Sequence, residues 1–215
     1  MTKSPGIKTK EKIREEAIKQ FNEFGIQNIT SRHIALGIGI SYGNLNYHYK
    51  TKEELILAIY QEMRSEMNSS YVENTSGNSS LEHYHRLLIF LEEFQYRFKF
   101  ISLDVLEISR CYPSVIEAIQ STLEDRKKTS LANLKKLIDE GFLNPMDLED
   151  LARVEHAIRM MVSFWLSQRE VLTTYDYRNK GDMIKSIYTI LKPMMTPAGK
   201  EELARVIDLH PYQES

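Results

Sequence analysis

The chain has 215 residues and one cysteine, Cys111, so no disulfide can close within it, which fits a reducing compartment. No apolar run approaches the roughly 18 residues that a membrane span requires. The N-terminal stretch MTKSPGIKTKEKIREE is basic but lacks the apolar stretch and cleavage site of a secretory signal, so a cytoplasmic protein is expected. There is no strand-length alternation of apolar and polar residues and no repeat of solenoid period. Nucleophile elbows, phosphate-binding glycine loops and zinc spacings are also missing, so neither an enzyme nor a cofactor is expected. His83 and His85 stand two apart on a helix and point in different directions, so they cannot share a metal ion. Asp104 and Glu107 lie one turn apart, but Arg110 follows three residues later, and a surface ion pair is the simpler reading.

Hydrophobic residues make up 42% of the chain and charged residues 27%, a soluble globular composition. The net charge of −2 hides an asymmetry. Residues 1–52 carry Lys3, Lys8, Lys10, Lys12, Arg14, Lys19, Arg32, Lys50 and Lys52 against only Glu11, Glu15, Glu16 and Glu23. A basic N-terminal segment on an acidic remainder suits contact with phosphate at one end.

The periodicity is helical throughout. Helix 1 is predicted from about Lys8 to Phe24, with Ile13, Ala17, Ile18, Phe21 and Phe24 inward and Gly25 as its stop. Thr30 or Ser31 can cap a short second helix whose Ile34, Ala35 and Ile38 form an apolar stripe. Gly39 permits the positive φ of a sharp turn, and Ile40 plugs the angle between helices. Ser41 can cap a third helix with Leu45 and Tyr49 inward. Its outward face is then Gly43, Asn44 and Tyr47, flanked by Tyr42, Asn46 and His48. Thr51 and Glu54 fit a capping box that opens a fourth helix, Lys52 to about Met67. This is a helix-turn-helix with an exposed recognition helix.

From Ile13 to Leu55 the chain resembles the DNA-binding domain of TetR-family transcriptional regulators. The resemblance rests on Ala17, Phe21, Gly25, Thr30, Ile34-Ala35, Gly39-Ile40-Ser41, Gly43, Leu45, His48 and Lys52-Glu53-Glu54-Leu55, in order and in spacing, over about a fifth of the chain. Departures are Asn46 where the family usually has Tyr, Tyr49 for Phe, His33 for an acidic residue and Lys50 for a common Pro. The resemblance implies that helix 3 enters the major groove, with Tyr42, Gly43, Asn44 and Tyr47 nearest the bases. His48, Lys52, Thr30 and Arg32 are then placed for phosphates. Ser31, Ser41 and Asn46 complete the expected DNA-facing set.

Beyond this segment, Asn68–Ser80 reads as a polar loop, after which helices are predicted over Leu81 to about Lys99, Phe100–Arg110 and Ser114–Glu140. Further helices follow from Asp147 to about Leu172, from Asp182 to about Leu191 and over Lys200–Leu209, with a polar loop at 173–180. The expected architecture is all-α: a helix-turn-helix DNA-binding domain over residues 1–52, a connecting helix over 52–67, and a helical ligand-binding and dimerisation domain over 68–215. By the resemblance, the larger domain dimerises, most plausibly through helices at about 149–172 and 182–192, and encloses a small effector. Its aromatic residues suggest a largely apolar effector, held by Phe94, Phe98, Tyr112, Phe164 and Trp165. The resemblance implies a ligand-responsive regulator that binds a two-fold symmetric double-stranded operator as a homodimer, with repression the expected sign. The alternative is a helical small-molecule-binding or scaffold protein that no longer binds DNA.

Overall fold

The computed structural model of the chain describes residues 5–75, 77–171, 177 and 179–212. Its helices are α1 (Pro5–Phe24), α2 (Ser31–Gly37), α3 (Tyr42–His48), α4 (Lys52–Thr75), α5 (Ser80–Arg97), α6 (Lys99–Leu103), α7 (Val105–Cys111), α8 (Pro113–Asp139), α9 (Leu148–Val171), α10 (Asp182–Leu191) and α11 (Pro197–Leu209). A 3-10 turn, Lys192–Met194, follows α10. The described residues contain no strand, and their only β-type pairing is an isolated bridge between Leu143 and Met195. The all-α expectation holds.

The chain divides into two compact units, Met1–Met67 with Phe98–Ser121, and Asn68–Arg97 with Thr122–Ser215. The expected boundary near residue 68 is therefore incomplete, because residues 98–121 cluster with the N-terminal segment. Their apolar side chains pack there: the ring of Phe100, fully buried, lies 5.4 Å from that of Phe21. Full burial of such a side chain is worth about 2–3 kcal/mol. The Phe100 N–H also donates to Asn22 Oδ1 at 3.0 Å, and the Ser114 N–H and hydroxyl donate to Glu53 Oε1 at 2.8 and 2.6 Å.

Several helix ends follow the expected chemistry. Gly25 (φ 79°) stops α1, and Thr30 and Ser41 accept the His33 and Asn44 N–H groups at 3.4 and 3.1 Å. At α4 the box is shifted by one residue: Thr51 accepts Glu54 N–H, but the Glu54 carboxylate returns to the N–H of Lys50. Three expectations change. The polar run after Met67 continues α4 to Thr75, because elongating a helix already anchored at its start costs little. The stretch predicted as one helix after residue 100 is split at Asp104 into α6 and α7. Asp182 does not cap α10. Gly181 (φ 85°) holds that position, while Asp182 Oδ2 accepts the Asn179 N–H at 2.9 Å. The predicted loop at 173–180 falls largely outside the described residues.

The second unit is tied together by its C-terminal segment. The hydroxyl of Thr196 caps α11 through Gly199 N–H, and Gly199 passes so close to the Phe142 carbonyl that a Cβ there would lie 2.0 Å from its oxygen. Against α5, the carboxylate of Glu82 accepts from Arg205 and His210, each at 3.1 Å. His85, fully buried, bonds the Tyr188 hydroxyl through Nδ1 at 3.0 Å and the His210 carbonyl through Nε2 at 2.9 Å.

Burial pushes the His85 imidazole below its ordinary value of 6.5, with the bond to the His210 carbonyl opposing the shift. The unfolded chain takes up this proton first as pH falls, so the stability due to neutral His85 is complete above the ordinary value and is lost below it. Between about pH 7.5 and 5.5 the melting temperature of the wild type should therefore fall more than that of His85→Gln. Parallel curves would mean that His85 protonates equally in both states.

Candidate nucleic-acid interface

The exposed surface of α3 exists because everything on its other side is anchored. Gly39 (φ 69°) makes the turn between α2 and α3, and a Cβ there would meet nothing within 4 Å. The glycine is required for backbone conformation, not for space. Ile40 N–H closes the turn onto the Ala35 carbonyl at 3.0 Å. Leu45 is fully buried and Tyr49 nearly so, and the Tyr49 hydroxyl accepts from Arg14 Nη1 at 2.8 Å. Arg14 also pairs with Glu62 of α4, so α1, α3 and α4 are locked by one guanidinium.

Outward, Tyr42, Gly43, Asn44, Asn46 and Tyr47 are exposed, and Tyr47 reaches 85%. A Cβ on Gly43 would find only Ser41 Oγ, at 3.9 Å, so nothing inside the protein demands a glycine. Its bare backbone leaves room for something approaching from outside. Arg32 of α2 lays its guanidinium over the Tyr42 ring, 5.4 Å from the centroid, and Tyr47 meets His48 edge-on at 5.3 Å. Thr30 and Ser41 are exposed caps, Ser31 is partly buried at the start of α2, and His48 is partly buried at the end of α3. These residues and Arg32 share one end of the first unit's helix-turn-helix.

Lys52 does not join them. It is half-buried, and its ammonium donates to the Ile26 carbonyl. It lies 5.7 Å from the Phe21 ring centroid and 5.9 Å from that of Tyr112. Burial lowers its pKa, opposed by Glu107 and Asp104. Asp104 in turn accepts the Ile26 N–H at 2.7 Å, so both polar groups of Ile26 are held by side chains of opposite charge. Burial raises the Asp104 carboxyl, opposed by that backbone bond. Lys52, expected at a phosphate, here spends a donor of its ammonium on the loop between α1 and α2.

Leu36, 80% exposed on α2, and Lys50, exposed just after α3, lie outside the expected DNA-facing set. The signal for Leu36 was present, since it falls off the stripe formed by Ile34, Ala35 and Ile38. His33 is exposed but occupied, its Nδ1 accepting the Thr30 N–H at 3.3 Å, so it closes a capping box with Thr30.

The five residues expected at an effector pocket are divided between the two units. Phe94 and Trp165 are buried in the second unit, whereas Phe98 and Tyr112 belong to the first. Phe98 does not follow Phe94 on one helix, because α5 ends at Arg97 and Phe98 (φ −117°, ψ 39°) is the residue before α6. Phe164 is 53% exposed on α9 and faces away from the interior, since neighbouring helical residues point about 100° apart.

A compact helix-turn-helix unit with a capped, outward-facing third helix, in one chain with a second all-helical unit, defines the class of helix-turn-helix regulators. A family model described as "Bacterial regulatory proteins, tetR family" matches residues 13–59, and one described as "Bacterial transcriptional repressor", the TetR model, matches residues 62–203. The chain belongs to the TetR family. It is 38% identical over 55 residues to HTH-type transcriptional regulator SAB2452 of Staphylococcus aureus, an alignment covering 26% of this chain and 30% of that protein. Among solved structures, a TetR-family transcriptional regulator from Marinobacter aquaeolei VT8 superposes with a TM-score of 0.79 at 24% identity, over 94% of this chain and 96% of that one. The ketosteroid transcriptional regulator KstR2 of Mycobacterium tuberculosis gives 0.67 at 18% identity, over 91% and 97%. A gamma-butyrolactone receptor, ArpA-like, gives 0.71 at 15%, over 96% and 98%. At these identities the structural likeness is one of fold.

Lys52→Ala should lower unfolding free energy by about 1–2 kcal/mol in urea titrations, because it strips the Ile26 carbonyl of its donor. An unchanged midpoint would show that the ammonium is not held there.

Proposed function

We propose that this protein is a cytoplasmic, ligand-responsive transcriptional regulator, a repressor in sign, that binds a two-fold symmetric DNA operator as a homodimer. The reading rests chiefly on one observation: α3 exposes Tyr42, Gly43, Asn44, Asn46 and Tyr47 while Leu45 and Tyr49 anchor its inner face. In the major groove, the Asn44 amide donates to and accepts from an adenine edge, and tyrosine rings pack on thymine methyl groups. Arg32, His48, Lys50 and the backbone and hydroxyls around Thr30, Ser31 and Ser41 take the phosphates, fixing register. No helix among the described residues is long and apolar enough to cross a membrane.

Dimerisation is proposed through α9 and α10. Of the two, α9 carries the open apolar face, with Ala157 exposed, Met160 at 51% and Phe164 at 53%, whereas the outward residues of α10 include Lys185 and Thr189. Large apolar side chains left in water on one helix face are what a second copy would cover. Phe164 thus moves from the effector pocket to the subunit interface.

The effector is proposed to enter the second unit. Two relatives of like fold are described as a ketosteroid regulator and a gamma-butyrolactone receptor, which favours a small, mainly apolar molecule with polar edges. Polar edges would find partners: Gln95 Oε1, Trp165 Nε1 and the carboxylate of Glu155 are buried without hydrogen bonds, although Arg159 Nη2 lies 3.2 Å from that carboxylate. Ligand binding would favour a conformer whose two recognition helices no longer match successive major grooves, about 34–36 Å apart.

Asn44→Ala or Tyr47→Ala should cost operator binding about 1–3 kcal/mol and leave binding to random duplex nearly intact. Equal loss on both duplexes would remove these residues from base readout. A salt titration tests the whole reading: affinity should fall steeply with salt, while no binding to operator or random duplex at low salt would leave the scaffold alternative.

Phe164→Glu should convert the dimer to a monomer in sedimentation velocity without lowering helical content. A variant that sediments as a dimer would place the interface elsewhere.

A further inference from the structure

The second unit holds a cavity of about 10 Å³, room for the centre of one water-sized group. Its walls include Ile89, Glu92 and Tyr96 of α5, Lys180, Ile184 of α10 and Tyr212 of the C-terminal segment. It takes no part in the DNA-binding reading.

Glu92 is 5% exposed. One carboxylate oxygen accepts the Gly181 N–H at 2.8 Å, and the other is buried without a hydrogen-bond partner. A buried charged acceptor left bare is costly, so the free oxygen calls for a donor. With Glu92, two phenol rings, two isoleucines, Glu93 and Lys180 line the cavity. Both rings already attract cations of the chain: Arg169 lies 5.1 Å from the Tyr96 centroid and Lys185 lies 5.3 Å from that of Tyr212. A bare acceptor set among aromatic faces and aliphatic carbon suits a donor that is cationic and carried on an organic body.

We propose that this cavity binds the head of a primary alkylammonium, its nitrogen at the free Glu92 oxygen and its alkyl chain against Ile89 and Ile184. Size permits the ammonium, which occupies about the space of one water molecule. Glu93 and Lys180 also line the cavity and offset one another, so the preference for a cation rests on the free Glu92 oxygen. A metal ion is a poor match, because the described residues contain no group of three or more His, Cys, Asp or Glu side chains able to hold one. The bare site is electrically unfinished. Burial raises the Glu92 carboxyl, Asp182 adds to the rise, and the Gly181 bond, Arg169 and Lys180 oppose it. An arriving ammonium would supply the close partner that none of these provides. It would also tie Tyr212 and the Gly181 turn to α5, and these already crowd one another: a Cβ on Gly181 would lie 2.7 Å from that of Tyr212.

The test uses the full chain and n-butylammonium chloride, with n-butanol and potassium chloride at equal concentration as controls. Butylammonium should raise the melting temperature by about 2–4 °C at a concentration well above Kd, and neither control should do so. Glu92→Gln keeps an acceptor for Gly181 but loses the charge, and its affinity for butylammonium should be at least tenfold weaker. Nuclear Overhauser contacts from the butyl methylenes to the Tyr212 ring in the wild-type protein provide a readout that needs no variant. An equal response to butanol or potassium chloride, an undiminished response in Glu92→Gln, or absence of those contacts would overturn the proposal. The first of these outcomes would leave the cavity to ordinary solvent. Because operator binding enters none of the measurements, the outcome is separate from the regulatory reading.

Discussion

A helix of seven residues cannot sustain itself in water, since nucleation consumes more conformational freedom than two turns of hydrogen bonds return. Both α2 and α3 have that length. Everything that α3 presents to the outside therefore depends on what holds it from within. Side-chain caps from Thr30 and Ser41 satisfy the first N–H groups, and Ile34, Ala35 and Leu45 are buried where α2 packs on α1 and α3. The Arg14 guanidinium fastens Tyr49 at the far end. Only a support of this completeness lets a two-turn helix leave five of the six positions from Tyr42 to Tyr47, all but Leu45, exposed.

The same first unit carries a polar clamp that is easily mistaken for a binding group. Lys52 and Asp104 are far apart in sequence, yet they grip the carbonyl and the N–H of the single residue Ile26. Both charged groups bond to the backbone of their own chain. They settle the course of the loop that sets α2 on α1, and they make α6 and α7 part of that arrangement. In the second unit, Glu82 and His85 do comparable work for the C-terminal segment, accepting from Arg205 and His210 and binding the His210 carbonyl.

Much of the first unit was legible in the sequence because its signals are local. Caps, the Gly39 turn and the stripe of Ile34 and Ala35 are all read within a few residues of where they act. The fate of Lys52 was not legible, because the groups that capture it, Ile26 and Tyr112, lie 26 and 60 positions away and only folding brings them near. In the second unit the helices are legible but their ends are not, and the aromatic residues do not announce which surface each one meets. An apolar count along a helix states how much must be buried somewhere. It does not tell whether Phe164 meets its own interior or another surface, and it cannot foresee that α5 stops between Phe94 and Phe98. The Glu92 cavity left no trace in the sequence at all, since one buried carboxylate among ordinary helical residues has no pattern.

His33 shapes the long-range field at the exposed outer face of α2. A carboxylate in this position would close the same reciprocal cap on the Thr30 N–H, but it would set a negative charge beside Arg32 and the start of α2. An imidazole nitrogen makes the bond as a neutral lone pair. The helix start is thus completed without a local anion, and the positive end of the α2 dipole and the Arg32 guanidinium act on an incoming polyanion undiminished by a neighbour of its own sign.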